Sequence, residues 1–233
     1  MTRHSTVPPD AFVNFSTNGL VFQLSKEDQS RLQQICQPVA LTQGQSLCLP
    51  EANVPPKVYF LADACVTLWV KNPDHAPLAV GLIGSEGAVG LGAALGQSAA
   101  HLQFEVLTAG QAWCADSHEL QRLLQAHPTM LWAVARYLWQ MTHDIANMAA
   151  AIQGDDIPTR LAAWLVLCAQ RAHSHKLSLT QEQLARMLGV RRVSITLAAV
   201  ELKGKGILDY KRGALEIHDM EGLVKQARTG NAG

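Results

Sequence analysis

The sequence predicts an α+β chain with a jelly-roll-like β-roll first, a long helix next, and a helical pair followed by a β-hairpin last. Three observations carry this reading. Between about residues 38 and 116, short apolar runs such as "KVYFLADACVTLWVK" and "LQFEVLTAGQAWCA" alternate with turn residues in "TQGQ", "NPDHAP", "GSEG" and "TAGQ", the texture of a compact roll. Apolar residues then recur three and four apart over more than twenty positions, which is helical periodicity. In residues 180–197, "TQEQLARMLGVRRVSITL", two helical patterns flank a glycine.

Composition bounds the rest. The chain has 233 residues, 48% hydrophobic and 16% charged, a globular composition long enough for a sizeable core. The formal net charge is zero, but it is unevenly spread: residues 1–154 hold 7 basic and 11 acidic residues, and residues 155–233 hold 12 and 8. Residues 173–213 are more basic still, with 8 against 3, an asymmetry that fits either a polyanionic partner or an ordinary solvated face. Cys36, Cys48, Cys65, Cys114 and Cys168 are scattered, with no CxxC, which argues against a disulfide framework or a clustered metal site. The N-terminus has no signal-peptide apolar core, and the longest apolar run, residues 161–169, is too short to span a bilayer. A cytoplasmic, soluble protein without membrane contact is expected.

The elements follow in order. Residues 1–17, with Pro8 and Pro9, read as a flexible tail. Residues 18–126 read as the roll, opened by a short helix that Ser25 caps and closed by a helix "SHELQRLLQA" that Ser117 caps. Pro128 suits the first turn of the next helix, residues 127–153. Its Leu131, Val134, Leu138, Met141, Ile145, Met148 and Ile152 have the 3.5-residue spacing of a coiled-coil seam. We read this as a dimer interface, because Trp132, Tyr137 and Trp139 lie on other faces and ask for further partners. Packing of the same stripe on the chain's own roll is the alternative. Gly154 ends the helix, and Asp155 or Asp156 with Pro158 starts the last region, residues 154–233.

In that region Thr180 and Gln183 form a T-x-x-Q capping box, and Leu184, Met187 and Leu188 make an apolar stripe. Ala185 is small where a second helix must cross, and Gly189 supplies a left-handed turn. In the second helix Ile195, Ala198, Ala199 and Leu202 turn inward. Arg192, Val193, Thr196 and Leu197 are left facing out, with Arg191 and Ser194 beside them. This is a helix-turn-helix whose second helix has the form that enters a DNA major groove. Arginines at its start can pair with guanine or phosphate, and exposed Val193 and Leu197 can touch thymine methyls. "GILDYKRGALEIHD" reads as a hairpin with a basic tip at Lys211 and Arg212, a wing able to grip phosphates, with Lys203 and Lys205 adding to the basic face. Thr180 and Gln181, at the start of the first helix, are further candidate DNA contacts. No catalytic constellation is read.

Over nearly its whole length, and most strongly over "LSLTQEQLARMLGVRRVSITLAAVELKGKGILDYKRGALEI", the chain resembles the Crp-Fnr superfamily of bacterial transcription regulators. "LTQGQSLCLPEANVPPKVYFLADACVTLWV" and "GSEGAVGLGAALGQ" resemble its cyclic-nucleotide-binding β-roll. The resemblance implies a homodimer on a near-palindromic operator, with duplex DNA, a second copy, RNA polymerase and an unknown small-molecule effector as partners. It places a possible effector pocket at Gly87, Gly90, Leu91, Gly92 and His101. The chain departs from the family's cyclic-nucleotide binders: Leu91 stands where their Glu would be, and no Lys or Arg occurs from residue 72 to 121. A buried phosphate would lack its charge partner, so cyclic AMP is not expected and no cofactor is identified. Clustered N-terminal cysteines for an iron–sulfur sensor are absent, and His75 reads as a solvated turn residue rather than a haem ligand. Arg192-Val193 replaces a common Arg-Glu, so the operator should differ from the family's usual one. A second reading is a cupin-like metal- or small-molecule-binding protein or enzyme, for which the roll offers His75, His101, Glu86 and Glu105 without a close HxH.

Overall fold

The computed structural model describes residues 13–47, 56–72, 75–97, 101–154, 156–211 and 213–228. The chain divides into two compact units: residues 13–68 and 83–142 among those described, and residues 69–82 and 143–228.

The first unit opens with a 3-10 turn, Phe15–Thr17, followed by α1 (Gly19–Phe22) and α2 (Lys26–Gln34). The 3-10 turn corrects the expectation of a loose tail through residue 17. Phe15 is buried and packs edge-on against Phe60 and Trp113, with ring centroids 6.3 and 5.3 Å away, because an aromatic ring gains more by joining the core than by remaining in solvent. Asn18 is buried beside it and donates to the carbonyls of Leu61 and Gly87 at 2.8 and 2.7 Å. Ser25 caps α2 as expected, its hydroxyl accepting from the Asp28 N–H.

The strands are β1 (Cys36–Leu41), β2 (Ser46–Leu47), β3 (Lys57–Leu61), β4 (Cys65–Asn72), β5 (His75–Ile83), β6 (Ala88–Val89), β7 (Leu102–Thr108) and β8 (Gly110–Asp116). They form two four-stranded sheets, ordered β1-β8-β3-β6 and β2-β7-β4-β5. Apolar Leu41, Leu61, Val66, Ile83, Val106 and Ala112 fill one core of this roll. Ser117 was expected to cap α4 (Ser117–Ala126), but Asp116 does so. Its carboxylate accepts from the His118 and Glu119 N–H groups, while Ser117 is buried as the first helical residue.

Helix α5 (Pro128–Gly154) runs 27 residues, about 40 Å at 1.5 Å per residue. Its Met130, Ala133, Val134 and Tyr137 are buried in a second core with Phe60, Leu120 and Leu124, and Leu138 and Met141 pack against that core. The expected dimer seam is therefore corrected in its first half: Val134 is 5% exposed and serves its own protomer. Leu131 remains on the surface, Ile145 and Met148 are half-buried, and the side chain of Ile152 lies outside the described residues. A neighbouring line, Trp132, Ala135, Trp139, Thr142, Ala146 and Ala149, is exposed along the helix, with Trp132 at 69% and Trp139 at 71%.

The second unit contains α6 (Ile157–Ala172), β9 (Lys176–Leu177), α7 (Gln181–Leu188), α8 (Arg192–Gly204), β10 (Leu208–Lys211), β11 (Ala214–Ile217) and α9 (Met220–Arg228). Asp156 caps α6. Hydrogen bonds from the Thr159 side chain and backbone hold its carboxyl below the usual range. Arg171 of α6 pairs with Asp144 of α5 at 2.8 Å. Helix α9, not anticipated, packs on α6; Asp219 accepts from the Gly222 N–H, and Leu223 is buried. Among the described residues, no helix is long and apolar enough to cross a membrane.

Candidate nucleic-acid interface

Helices α7 and α8 form a helix-turn-helix, and each local device that builds it is visible. The Thr180 hydroxyl accepts from the Gln183 N–H at 3.1 Å, and the Gln183 side chain accepts from the Thr180 N–H at 2.8 Å, completing the capping box. Gly189 closes α7 at φ +65°, a conformation that costs little without a Cβ. Its N–H and that of Val190 return to Arg186 and Ala185 carbonyls, and the Arg160 guanidinium donates to the Leu188 carbonyl at the helix end. Leu184, Ala185, Met187, Leu188, Ile195, Ala198, Ala199 and Leu202 are buried where the two helices cross and pack on the rest of the unit.

Strands β10 and β11 pair antiparallel with β9 to form the wing, with Lys211 opposite Ala214. Arg212, next in sequence after β10, lies outside the described residues. The Tyr210 hydroxyl donates to the Leu179 carbonyl at 2.6 Å, tying the wing to the entrance of α7. Burial pushes the Tyr210 phenol up.

Side chains around α8 divide by whether their charge is already matched. Lys203 and Lys211 both pair with Asp209, at 2.7 and 3.5 Å. The Lys203 hydrogen bond, with that from the Tyr210 backbone, brings the Asp209 carboxyl down to about 2. Lys205 pairs with Glu201 at 2.7 Å, and Lys176 with Glu216 at 3.1 Å. Arg186 lies over the Trp69 ring, 4.2 Å from its centroid. Among the described residues, neither Arg191 nor Arg192 forms an ion pair, and both are exposed at the start of α8. The uncommitted positive charge thus sits at the N-terminal end of the helix, where a recognition helix meets base edges and phosphates.

The sequence-predicted residues separate accordingly. Arg191, Arg192, Val193 and Leu197 are exposed together on α8, and Ser194 is half-exposed. Thr196 instead donates to Gln181 at 2.9 Å, so these two side chains bind each other and fix α8 against the start of α7. The Thr180 side chain is used in the capping box. Val200, 63% exposed, was missed, although its spacing from Val193 and Leu197 repeats a helical stripe. Asp209 was missed too, because its shortest ion pair is with Lys203 of α8, brought to it by the fold.

The residues expected to line an effector pocket are dispersed in function. The Tyr137 side chain lies against Gly87 so closely that no Cβ would fit there. Gly90 is the left-handed N-cap of α3 (Leu91–Ala94), and Leu91 is buried in the core. The Gly92 carbonyl accepts from Leu95 and Gln97 N–H groups, and His101 is exposed before β7. A narrow apolar crevice between Leu20, Leu32, Phe60, Leu120 and Met130 holds none of the five. Glu86, one residue named in the metal-binding alternative, accepts from the Gly84 N–H; the His75 side chain lies outside the described residues.

This geometry defines a class: a winged helix-turn-helix with an exposed, positively charged second helix. Residues 159–226 match the family model of the Crp-like helix-turn-helix domain. In structure the chain is similar to a CRP/FNR-family transcriptional regulator from Thermus thermophilus, at 20% identity and TM-score 0.69, covering 83% of this chain and 100% of that one. It is also similar to CLP, a c-di-GMP-responsive global regulator from Xanthomonas campestris, at 17% identity and TM-score 0.68, covering 83% and 99%. A second CRP-family regulator from Thermus thermophilus matches at 16% identity and TM-score 0.67, covering 82% and 97%. Comparison with curated proteins finds no match. Residues 159–226 thus match a Crp-like helix-turn-helix domain, and over about four-fifths of its length the chain has the fold of these Crp/Fnr-type regulators. With residues 159–226 matching a Crp-like helix-turn-helix domain, the cupin-like alternative is not favoured.

Proposed function

We propose that the chain is a transcription regulator that binds duplex DNA as a homodimer on a near-palindromic operator and acts there on RNA polymerase. The observation that carries this is the pair of unneutralised arginines, Arg191 and Arg192, at the exposed start of α8 in a helix-turn-helix. Residues 154–233 would hold the DNA, with Lys203, Lys211 and Arg212 gripping phosphates. Residues 127–153 would pair with a second copy. Residues 18–126 would sense an unidentified signal or serve as scaffold.

For the pairing helix, the exposed line Trp132, Ala135, Trp139, Thr142, Ala146 and Ala149 has alternating three- and four-residue spacing, that of a two-stranded seam. It replaces the seam through Val134 as the proposed interface. A two-fold dimer would set its two recognition helices about 34 Å apart, one turn of DNA. An effector would act by binding two dimer states unequally. With Tyr137 against Gly87 and no Lys or Arg from residue 72 to 121, that effector is not expected to be cyclic AMP.

Selection of bound duplexes from a random pool by the full-length protein, with and without cell metabolites, tests the proposal. Enrichment of a sequence with two inverted half-sites one helical turn apart supports it. No enrichment under any salt or metabolite condition overturns it.

A further inference from the structure

The outermost line of α8 is apolar. At about 100° per residue, Val193, Leu197 and Val200 fall within an arc of about 60°. Exposure agrees with this geometry: they are 67%, 67% and 63% exposed, while Ile195, Ala198, Ala199 and Leu202, on the opposite side, are buried. Arg192, Thr196 and Lys203 share one flank of the line, about 60–100° away. Single exposed apolar residues need no explanation. Three in register, centred on the face that the helix crossing leaves open, form a ridge about 10 Å long.

Resting on the DNA-binding reading above, we infer that this ridge reads thymine methyl groups. The operator half-site then carries A·T pairs over about three consecutive positions, the span of the ridge at 3.4 Å per base. A helix seated in the major groove turns its outermost line to the groove floor. There the C5 methyl of thymine is the apolar group that base edges offer. Every base pair loses some hydration under an apolar ridge, but an A·T pair offers a methyl in return and a G·C pair offers none, so the same three side chains also disfavour G·C pairs. Charge selects DNA over an apolar protein face as the occupant. Arg191 and Arg192 stand unneutralised at the ridge's N-terminal end, and residues 173–213 hold 8 basic against 3 acidic residues.

The test uses the full-length protein and the duplex that it selects from a random pool. Each thymine in the half-site is replaced singly by uracil, which deletes the methyl and keeps the pairing edge. Uracil should lower affinity about fourfold per contacted methyl. Leu197→Ala, an exposed change, should abolish the thymine–uracil difference at one position, whereas Arg192→Ala should keep it. A selected half-site of G·C pairs, or uracil duplexes bound as tightly as thymine ones, overturns the ridge while DNA binding stands. Failure to enrich any duplex overturns both and returns the ridge to a protein partner.

Discussion

Replacing Trp132 and Trp139 by alanine should convert the protein to monomers while leaving its fold intact. Each indole is about 70% exposed in the single chain, so each can give roughly 170 Å² to a partner. Four such rings in a dimer amount to roughly 700 Å², about half of a standard interface. At about 25 cal/mol per Å² this is roughly 17 kcal/mol of gross transfer energy, of the same order as the cost of association. Truncating an interface hot spot costs about 2–4 kcal/mol. The double variant removes four of them from the dimer, and at the lower figure this is roughly 8 kcal/mol, about a millionfold in Kd. Sedimentation equilibrium across a concentration series gives the dimer Kd, and circular dichroism checks the fold. Leu138→Ala is the contrast. Leu138 packs on its own protomer's core, so its loss should lower Tm more than it weakens the dimer. A Trp132→Ala/Trp139→Ala protein that dimerises like the parent would refute the seam.

Three further outcomes are expected. Gly189→Ala should cost about 1–2 kcal/mol, from the left-handed backbone alone: φ is +65°, and the added Cβ would lie 3.5 Å from the nearest atom, a Leu78 methyl. Gly189→Asn should cost less, since Asn tolerates that conformation; equal losses in thermal unfolding would contradict this account of the turn. Asp209→Asn removes the carboxylate that holds Lys203 and Lys211 and should tighten binding to every duplex. With two lysines freed in each protomer of a dimer, the slope of log K against log salt should steepen by about two to four units, and an unchanged slope would show that these lysines do not reach phosphates. Burial raises the Cys36 and Cys168 thiols to about 12, so both should resist alkylation at pH 8 until the protein unfolds. Mass spectrometry showing rapid labelling of Cys168 in the native protein would contradict the packing of α6.

Much of the helix-turn-helix was legible because its signals are local. The Thr180–Gln183 box, small Ala185 and left-handed Gly189 are each dictated by a few neighbouring backbone atoms. The roll strands were legible from alternating apolar runs and turns. The seam on α5 was harder to read. Two lines with the same spacing lie side by side on that helix, and periodicity cannot tell which one packs on the chain's own core. The line through Leu131, Val134 and Leu138 is the more hydrophobic, so it drew the reading. Its neighbour mixes Trp132 and Trp139 with Ala and Thr, and is the line left exposed. Side-chain pairings across distant elements were equally hidden: Thr196 with Gln181, Lys203 of α8 with Asp209 of β10, Tyr137 over Gly87, and Trp69 under Arg186. None of these has a sequence signature, because each depends on where the fold brings two segments together. Phe15 escaped notice for a related reason, since one aromatic in a polar stretch gives no periodicity.

Reading of the DNA sequence is concentrated in the first turn of α8, where Arg191 and Arg192 are exposed. Affinities of the parent, Arg192→Ala and Lys211→Ala for the selected operator and for an unrelated duplex, at fixed salt, test it. Arg192→Ala should lose about 1–3 kcal/mol on the operator and relax sequence preference there, while Lys211→Ala should weaken both duplexes alike. Unchanged operator affinity and unchanged preference in Arg192→Ala would contradict the claim that this helix reads DNA.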